Sequence, residues 1–266
     1  CDVTWSLMPS VFWFAVAAVV GACFGSFSNV LVYRLPRNLS VVGPRSYCPS
    51  CEKTVAWYDN IPLLSWVLLR GRCRHCAAPI SPRYLLLEIA GILCAMIGFW
   101  RFGVTGQGAG AALYLLLLVN IAIIDWQHMI IPHTLTITGM VARLALAFFT
   151  PIGPVDSLLG LVVGGGIILA VSYGYKLVRG VIGMGGGDVM LMGMVGAFLG
   201  AWGALGVLFV GAFLGTLYAL TAGRGRVDGS SKLPFGTFLS AAAFLVLFWG
   251  PQLAGWYVEN YLQRGA

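Results

Sequence analysis

Two sets of side chains in this 266-residue sequence have the types and spacing to do chemistry. The first is a pair of aspartates at the borders of long apolar runs. Asp125 follows Tyr114–Ile124, and Asp188 follows Gly183-Met184-Gly185-Gly186-Gly187. Ionisable groups at membrane depth are costly and mark function by default. Two carboxylates in one confined site cannot both ionise, so they share a proton. The ionised member can take a proton from water while its partner donates to a carbonyl oxygen. That is aspartic peptide hydrolysis, and it needs neither a metal nor a covalent nucleophile. The glycine run permits unusual backbone angles and close approach of a substrate strand. It fails as a dinucleotide fingerprint, because G-x-G-x-x is followed by Asp and no strand precedes it. Two other readings stay open: each aspartate caps or pairs locally, or the pair carries ions through a helical bundle.

Nearby groups are weaker candidates. His128 and His133 flank Pro132 close to Asp125; interfacial histidines in short loops are commonly just solvated, so they stay outside the catalytic pair. Arg143, in the middle of an apolar run, is expected to neutralise a carboxylate or to snorkel.

The second set is Cys48-Pro-Ser-Cys51 and Cys73-Arg-His-Cys76, two C-x2-C pairs separated by 21 residues. That is close to zinc-ribbon spacing. Four thiolates close a tetrahedron around Zn²⁺ and leave no open position, so such an ion is structural. It would fold a segment of about 50 residues that is too small for a self-sufficient core. The competing reading is four ordinary thiols or a redox pair. His75 is read as a bystander, and Cys23 and Cys94, inside apolar runs, as small fillers.

The elements that must position these groups follow from a shortage of charge. Charged residues are 9% of the chain and hydrophobic residues 59%, with nine acids in all, against about 25% charged in soluble proteins. Apolar runs of the length a bilayer requires occur at about 9–33, 84–101, 109–126, 134–150, 157–178, 188–203, 204–222 and 235–258. The expected fold is an all-α polytopic membrane protein with about eight transmembrane helices and a zinc-stapled loop domain. The first run reads as a retained helix: it is too long for a signal-peptide core and lacks a basic n-region and an A-x-A site. The opening Cys1 is consistent with a trimmed sequence.

Net charge is +7, but eight of the sixteen bases lie between Arg34 and Arg83. In a multi-span chain this is the positive-inside signal rather than a nucleic-acid footprint. With 34–83 in the cytoplasm, the loops near 126–133, 179–187 and 223–234 also face it, and both termini lie outside. That threading brings Asp125 and Asp188 to one face at similar depth. Pairs such as Gly21/Gly25, Gly196/Gly200 and Gly211/Gly215 have the small-xxx-small spacing of close helix packing in lipid. The domains expected are 1–33, a first transmembrane helix; 34–83, the four-cysteine domain; and 84–266, the membrane-embedded aspartate domain.

With these residues in view, the chain resembles the bacterial type IV prepilin peptidases, the leader peptidase/N-methyltransferases. The likeness runs through Gly25-Ser26-Phe27-Ser28-Asn29-Val30, Arg34-Leu35-Pro36, both cysteine pairs, Trp57–Pro62, Leu64-Ser65-Trp66 and Arg70–Cys73. It continues through Pro79–Tyr84, Glu88, Asp125 to Pro132, Gly183–Asp188 and Pro234-Phe235-Gly236. The resemblance implies a GxGD-type intramembrane aspartic protease of the bacterial inner (cytoplasmic) membrane, with its active sites facing the cytoplasm. Its substrates would be type IV prepilins or type II secretion pseudopilins, cut between leader and mature chain. The new N-terminal amine would then be methylated with S-adenosylmethionine. By matching position Asp125 and Asp188 become the catalytic pair, and the loop becomes methyltransferase-associated.

For that second activity Asn29, Arg34, Asp59 and Glu88 are the polar candidates for cofactor binding, in or beside residues 34–83. No Rossmann-like glycine loop occurs there, and polar residues in such places also bind neighbouring helices. The family usually has Lys two residues after the second aspartate, where this chain has Met190. Losing that positive charge predicts lowered activity. A peptidase with only a structural zinc loop and, more remotely, an ion-coupled transporter are the alternatives. Transport sites usually lie at midplane, which argues against the latter. The basic loop is expected to meet anionic lipid rather than the basic leader.

Overall fold

The computed structural model describes residues 10–150, 152–180, 183–222, 233–257 and 259–260. Its helices are α1 (Ser10–Arg34), α2 (Leu64–Leu68), α3 (Arg83–Phe102), α4 (Gly106–His128), α5 (His133–Leu146), α6 (Pro154–Arg179), α7 (Gly186–Ala222) and α8 (Phe235–Tyr257). Among the described residues no strand forms beyond two isolated antiparallel bridges, Tyr47 with Thr54 and Arg72 with Pro79. The all-α expectation holds.

Six of these helices are long and apolar enough to cross a membrane; the fourth expected run is a shorter apolar helix, His133–Phe149. The sixth and seventh runs are joined in α7, which is interrupted at Gly200 (φ 73°, ψ 178°). A straight helix of 37 residues would be about 55 Å long. The chain instead doubles back at the break. Near the start of α7, a Cβ on Gly187 would meet Ile131, as would one on Gly236. Near its end, Tyr218 stacks on Phe238 with ring centroids 5.3 Å apart. Both ends of α7 therefore reach the start of α8, and eight apolar helical segments result. The loops that carry Arg224, Arg226, Asp228 and Lys232, and the terminal residues that include Cys1 and Arg264, lie outside the described residues.

The chain divides into two compact units, Cys1–Leu116 and Leu117–Ala266. In the first, α1 packs on α3 through glycine. A Cβ on Gly21 would lie 2.6 Å from the Gly91 carbonyl oxygen, and one on Gly25 would lie 2.6 Å from that of Leu87. In the second, α6 and the first half of α7 meet backbone to backbone, Gly160 against Gly196 and Gly164 against Met192. Such contacts replace the hydrophobic drive that lipid cannot supply. Of the expected small pairs, Gly21/Gly25 and Gly196/Gly200 serve this purpose, Gly200 also supplying the reversal, and Gly211 packs against Leu239 and Gly215 against Phe238 on α8.

The helix ends follow local chemistry. Thr105 caps α4 by accepting the Gly108 amide at 3.2 Å. Pro154 opens α6, and Gly180, left-handed at φ 75°, closes it by donating to Lys176 O.

Candidate active site

Asp125 lies in the last turn of α4 and is buried, 5% exposed. Its Oδ2 accepts the Thr237 amide at 2.8 Å, and the Thr237 hydroxyl stands 3.3 Å away. The Thr237 amide is among the first N–H groups of α8, which have no partner within the helix and point at an anion by default. The Thr237 hydroxyl also reaches the Ala122 carbonyl oxygen at 3.0 Å, so one residue ties α4 to α8 at this point.

Asp188 lies in the first turn of α7 and is half-buried. Its Oδ2 accepts the Gly185 amide at 3.1 Å, and its own amide donates to Gly185 O at 3.1 Å. A third helical residue reaching back to the residue before the helix is one half of a capping box. The local-cap reading of Asp188 is thus satisfied, with the second carboxylate oxygen left over.

The structure brings the two aspartates together through Ile131. A Cβ on Gly187, the neighbour of Asp188, would lie 2.9 Å from Ile131 Cβ. One on Gly236 would lie 2.6 Å from Ile131 Cδ1 and 3.1 Å from the Asp125 carboxyl carbon. Gly187 and Gly236 are small because Ile131 leaves no room for more. This corrects the expectation for the glycine run: none of Gly183, Gly185, Gly186 and Gly187 has a positive φ. Around Gly186 there is open space.

His128 and His133 are exposed, and Met190 is half-buried on α7. Thr237 and Ile131 are residues of the site that sequence reasoning did not single out. Thr237 adjoins the quoted motif Pro234-Phe235-Gly236 and Ile131 lies inside Asp125–Pro132, and that position is the only signal they give.

Arg143 differs from expectation. It is 4% exposed and, among the described residues, has no carboxylate partner; the ion pair found there is Arg74 with Asp59. Nε donates to Ala197 O at 3.1 Å, one terminal nitrogen to the Thr150 hydroxyl at 2.7 Å, and the other to Ile152 O at 2.8 Å. In an unbroken helix Ala197 O would accept from residue 201. The break at Gly200 exposes that carbonyl, and a cation at a helix C-terminus is favourably placed to take it.

In the first unit the four cysteines form two matching turns. Cys48 N–H donates to Lys53 O at 3.0 Å, and Cys73 N–H to Ala78 O at 2.9 Å. The residue after each second cysteine, Glu52 or Ala77, is left-handed at φ 57° or 56°. The four sulfurs lie within 4.8 Å of one another, with Cys48 and Cys76 at 3.8 Å. Tetrahedral Zn–S bonds of about 2.3 Å set sulfurs about 3.8 Å apart, so this cluster could hold such an ion. The amides of Cys51 and Ser50 draw the Cys48 thiol down to about 6. The Ala78 amide favours the Cys76 thiolate, but desolvation and the three neighbouring sulfurs outweigh it and push Cys76 up to about 11. Bidentate bonds from Arg74 (2.6–3.1 Å) hold Asp59 below the usual carboxylate range. Cys94 is buried as expected of a filler, whereas Cys23 is exposed on α1.

The other polar candidates have partners inside the same unit. Asn29 donates to Tyr84 O at 3.1 Å and so joins α1 to α3. Arg34 gathers the loop after α1 by donating to Ser40 O and Pro44 O at 2.8 and 2.6 Å. Glu88 accepts the Leu63 amide at 2.7 Å.

Fold and site together describe a multi-span helical protein whose second unit brings the segments carrying two acidic side chains to one residue, Ile131. Comparison with known proteins gives that class a family. The Bacterial Peptidase A24 N-terminal domain matches residues 19–102, and the Type IV leader peptidase family matches residues 112–220. A Prepilin leader peptidase/N-methyltransferase of Myxococcus xanthus is 42% identical over 228 residues, covering 82% of this chain and 67% of its own. One of Aeromonas hydrophila is 34% identical over 284 residues, covering 94% and 95%. One of Xanthomonas campestris is 33% identical over 280 residues, covering 94% of each. No solved structure matches the chain at a meaningful level. The chain belongs to the type IV leader peptidase family.

Proposed function

We propose that this protein cleaves the short leader from type IV prepilins or type II secretion pseudopilins with Asp125 and Asp188 as a catalytic pair. The observation that carries the reading is the convergence on Ile131 of the Asp188 segment and the Gly236–Asp125 contact. One carboxylate takes a proton from the attacking water, and the other donates to the scissile carbonyl oxygen. The Thr237 amide holds Asp125 Oδ2, so the other oxygen is the one free to act on the attacking water. The open space at Gly186 gives an extended precursor backbone a route to both. The positive-inside bias of the sequence supports a reading in which this end of the second unit faces the cytoplasm.

The names of the relatives support a second activity, N-methylation of the freed amine. S-adenosylmethionine would supply the methyl group. The first helix and residues 34–83, organised by Asn29, Arg34, Asp59 and Glu88, form the methyltransferase-associated part, and residues 84–266 hold the peptidase. Zn²⁺ on Cys48, Cys51, Cys73 and Cys76 has a structural role there, because four thiolates leave no site for substrate.

The test is a cleavage assay on purified Asp125→Asn and Asp188→Asn proteins with a prepilin. Each change should lower the rate about 10³-fold or more, while bound zinc and methylation of a pre-cut substrate stay at parental levels. Retention of more than a tenth of the rate by either variant would overturn the pair.

A further inference from the structure

Helix α2 lies in the polar loop, yet its surface is apolar. Leu64, Val67 and Leu68 are 51%, 60% and 70% exposed, and their i, i+3, i+4 spacing puts them on one face. Trp57, in the 3₁₀ turn just before, is 73% exposed. The opposite face is fixed inward: Ser65 is buried, donates to Tyr58 O at 2.9 Å and accepts the Ile61 amide at 3.1 Å. The Trp66 ring covers Gly71.

A hydrogen bond ties the start of α2 to α3. Leu63, which precedes it, is held at φ 61°, ψ −54°, a region a branched residue occupies only under constraint. Its amide donates to Glu88, five residues inside the span Arg83–Phe102, or about 8 Å along the helix. The start of α2 is thereby pinned near the level where α3 enters the hydrocarbon. Arg70 and Arg72 follow directly and are exposed. Residues 34–83 carry eight bases against Glu52 and Asp59.

We infer that α2 is an interfacial anchor whose Leu64–Val67–Leu68 face rests in an anionic phospholipid surface. An apolar stripe beside arginines at that level has the chemistry of a helix lying in the headgroup region, tryptophan belongs there, and the surplus of bases complements anionic lipid. The anchor holds the four-cysteine domain flat against the bilayer. It stands independently of the peptidase reading.

The full-length protein, with p-benzoylphenylalanine replacing Leu68 or, as a control, Lys53, is placed in nanodiscs of phosphatidylcholine with a quarter phosphatidylglycerol and irradiated. Retention of parental zinc content confirms that each variant is folded. Phospholipid adducts at position 68 should exceed those at position 53 at least fivefold. They should fall at least twofold in discs of pure phosphatidylcholine. Equal adducts at both positions, dimer cross-links at position 68, or adducts that pass to an added prepilin would overturn the anchor. A yield unaffected by phosphatidylglycerol would overturn its anionic character.

Discussion

Thr237 grips Asp125 with both its amide and its hydroxyl, and that double contact makes separable predictions. Thr237→Val keeps the amide and loses the hydroxyl, so cleavage should fall roughly tenfold, whereas Thr237→Ser should stay near the parent. A Val variant as active as the parent would show the hydroxyl to be dispensable. Gly236→Ala drives a methyl group into Ile131 and the Asp125 carboxyl; the prepilin cleavage rate is expected to drop further than in Thr237→Val. At Met190, restoring a lysine should raise the rate by supplying a nearby positive charge, and equal rates in the two proteins would sink that expectation. Asp125 and Asp188 were legible because acids are scarce in this sequence and these two border apolar runs. Thr237 was not, because a threonine in the first turn of an apolar helix has no distinctive spacing, and its importance exists only once α8 meets α4.

At the scale of elements, the break in α7 at Gly200 is capped by Arg143, which donates to Ala197 O. Arg143 supplies three donors in three directions, a geometry that lysine cannot reproduce. Arg143→Lys should destabilise the second unit by about 1–3 kcal/mol, the cost of leaving buried acceptors unsatisfied. Thermal unfolding of the detergent-solubilised protein reads this, with prepilin cleavage lost in parallel. In the four-cysteine turns, Asp59 holds the Cys73–Cys76 turn through Arg74. Asp59→Asn should speed zinc release to a chelator roughly tenfold. The sign with pH follows from the lowered carboxyl. A depressed folded-state value contributes above the ordinary one, about 3.9, and is lost only as pH falls through the lowered value. The gap between variant and parent should therefore be constant from about pH 5 upward. The eight apolar runs and both cysteine turns could be read from composition and spacing. The fusion of two runs across Gly200 could not, since a glycine in an apolar stretch reads equally well as packing.

For the whole molecule, the division into two units predicts separable failure. Stripping the metal should open the segment around residues 46–80 to limited proteolysis and abolish methyl transfer. Cleavage by the second unit should fall less than tenfold, because both aspartates and every contact that holds them lie beyond Leu117. Cleavage lost in step with zinc would show the two units to be one cooperative body.

By itself the sequence determined what depends on solvent and on local spacing: a membrane-spanning helical chain, a four-thiol site and a short list of acids with work to do. Transfer free energy and ligand geometry act residue by residue, so they are written along the chain. Only the tertiary structure decided which orphaned groups meet. The Thr237 amide finds Asp125, Arg143 finds the carbonyl exposed at Gly200, and Ile131 sits between two glycines far apart in sequence. Those pairings arise when helix ends, each with unsatisfied backbone groups, are packed against one another, and hydropathy carries no record of that packing.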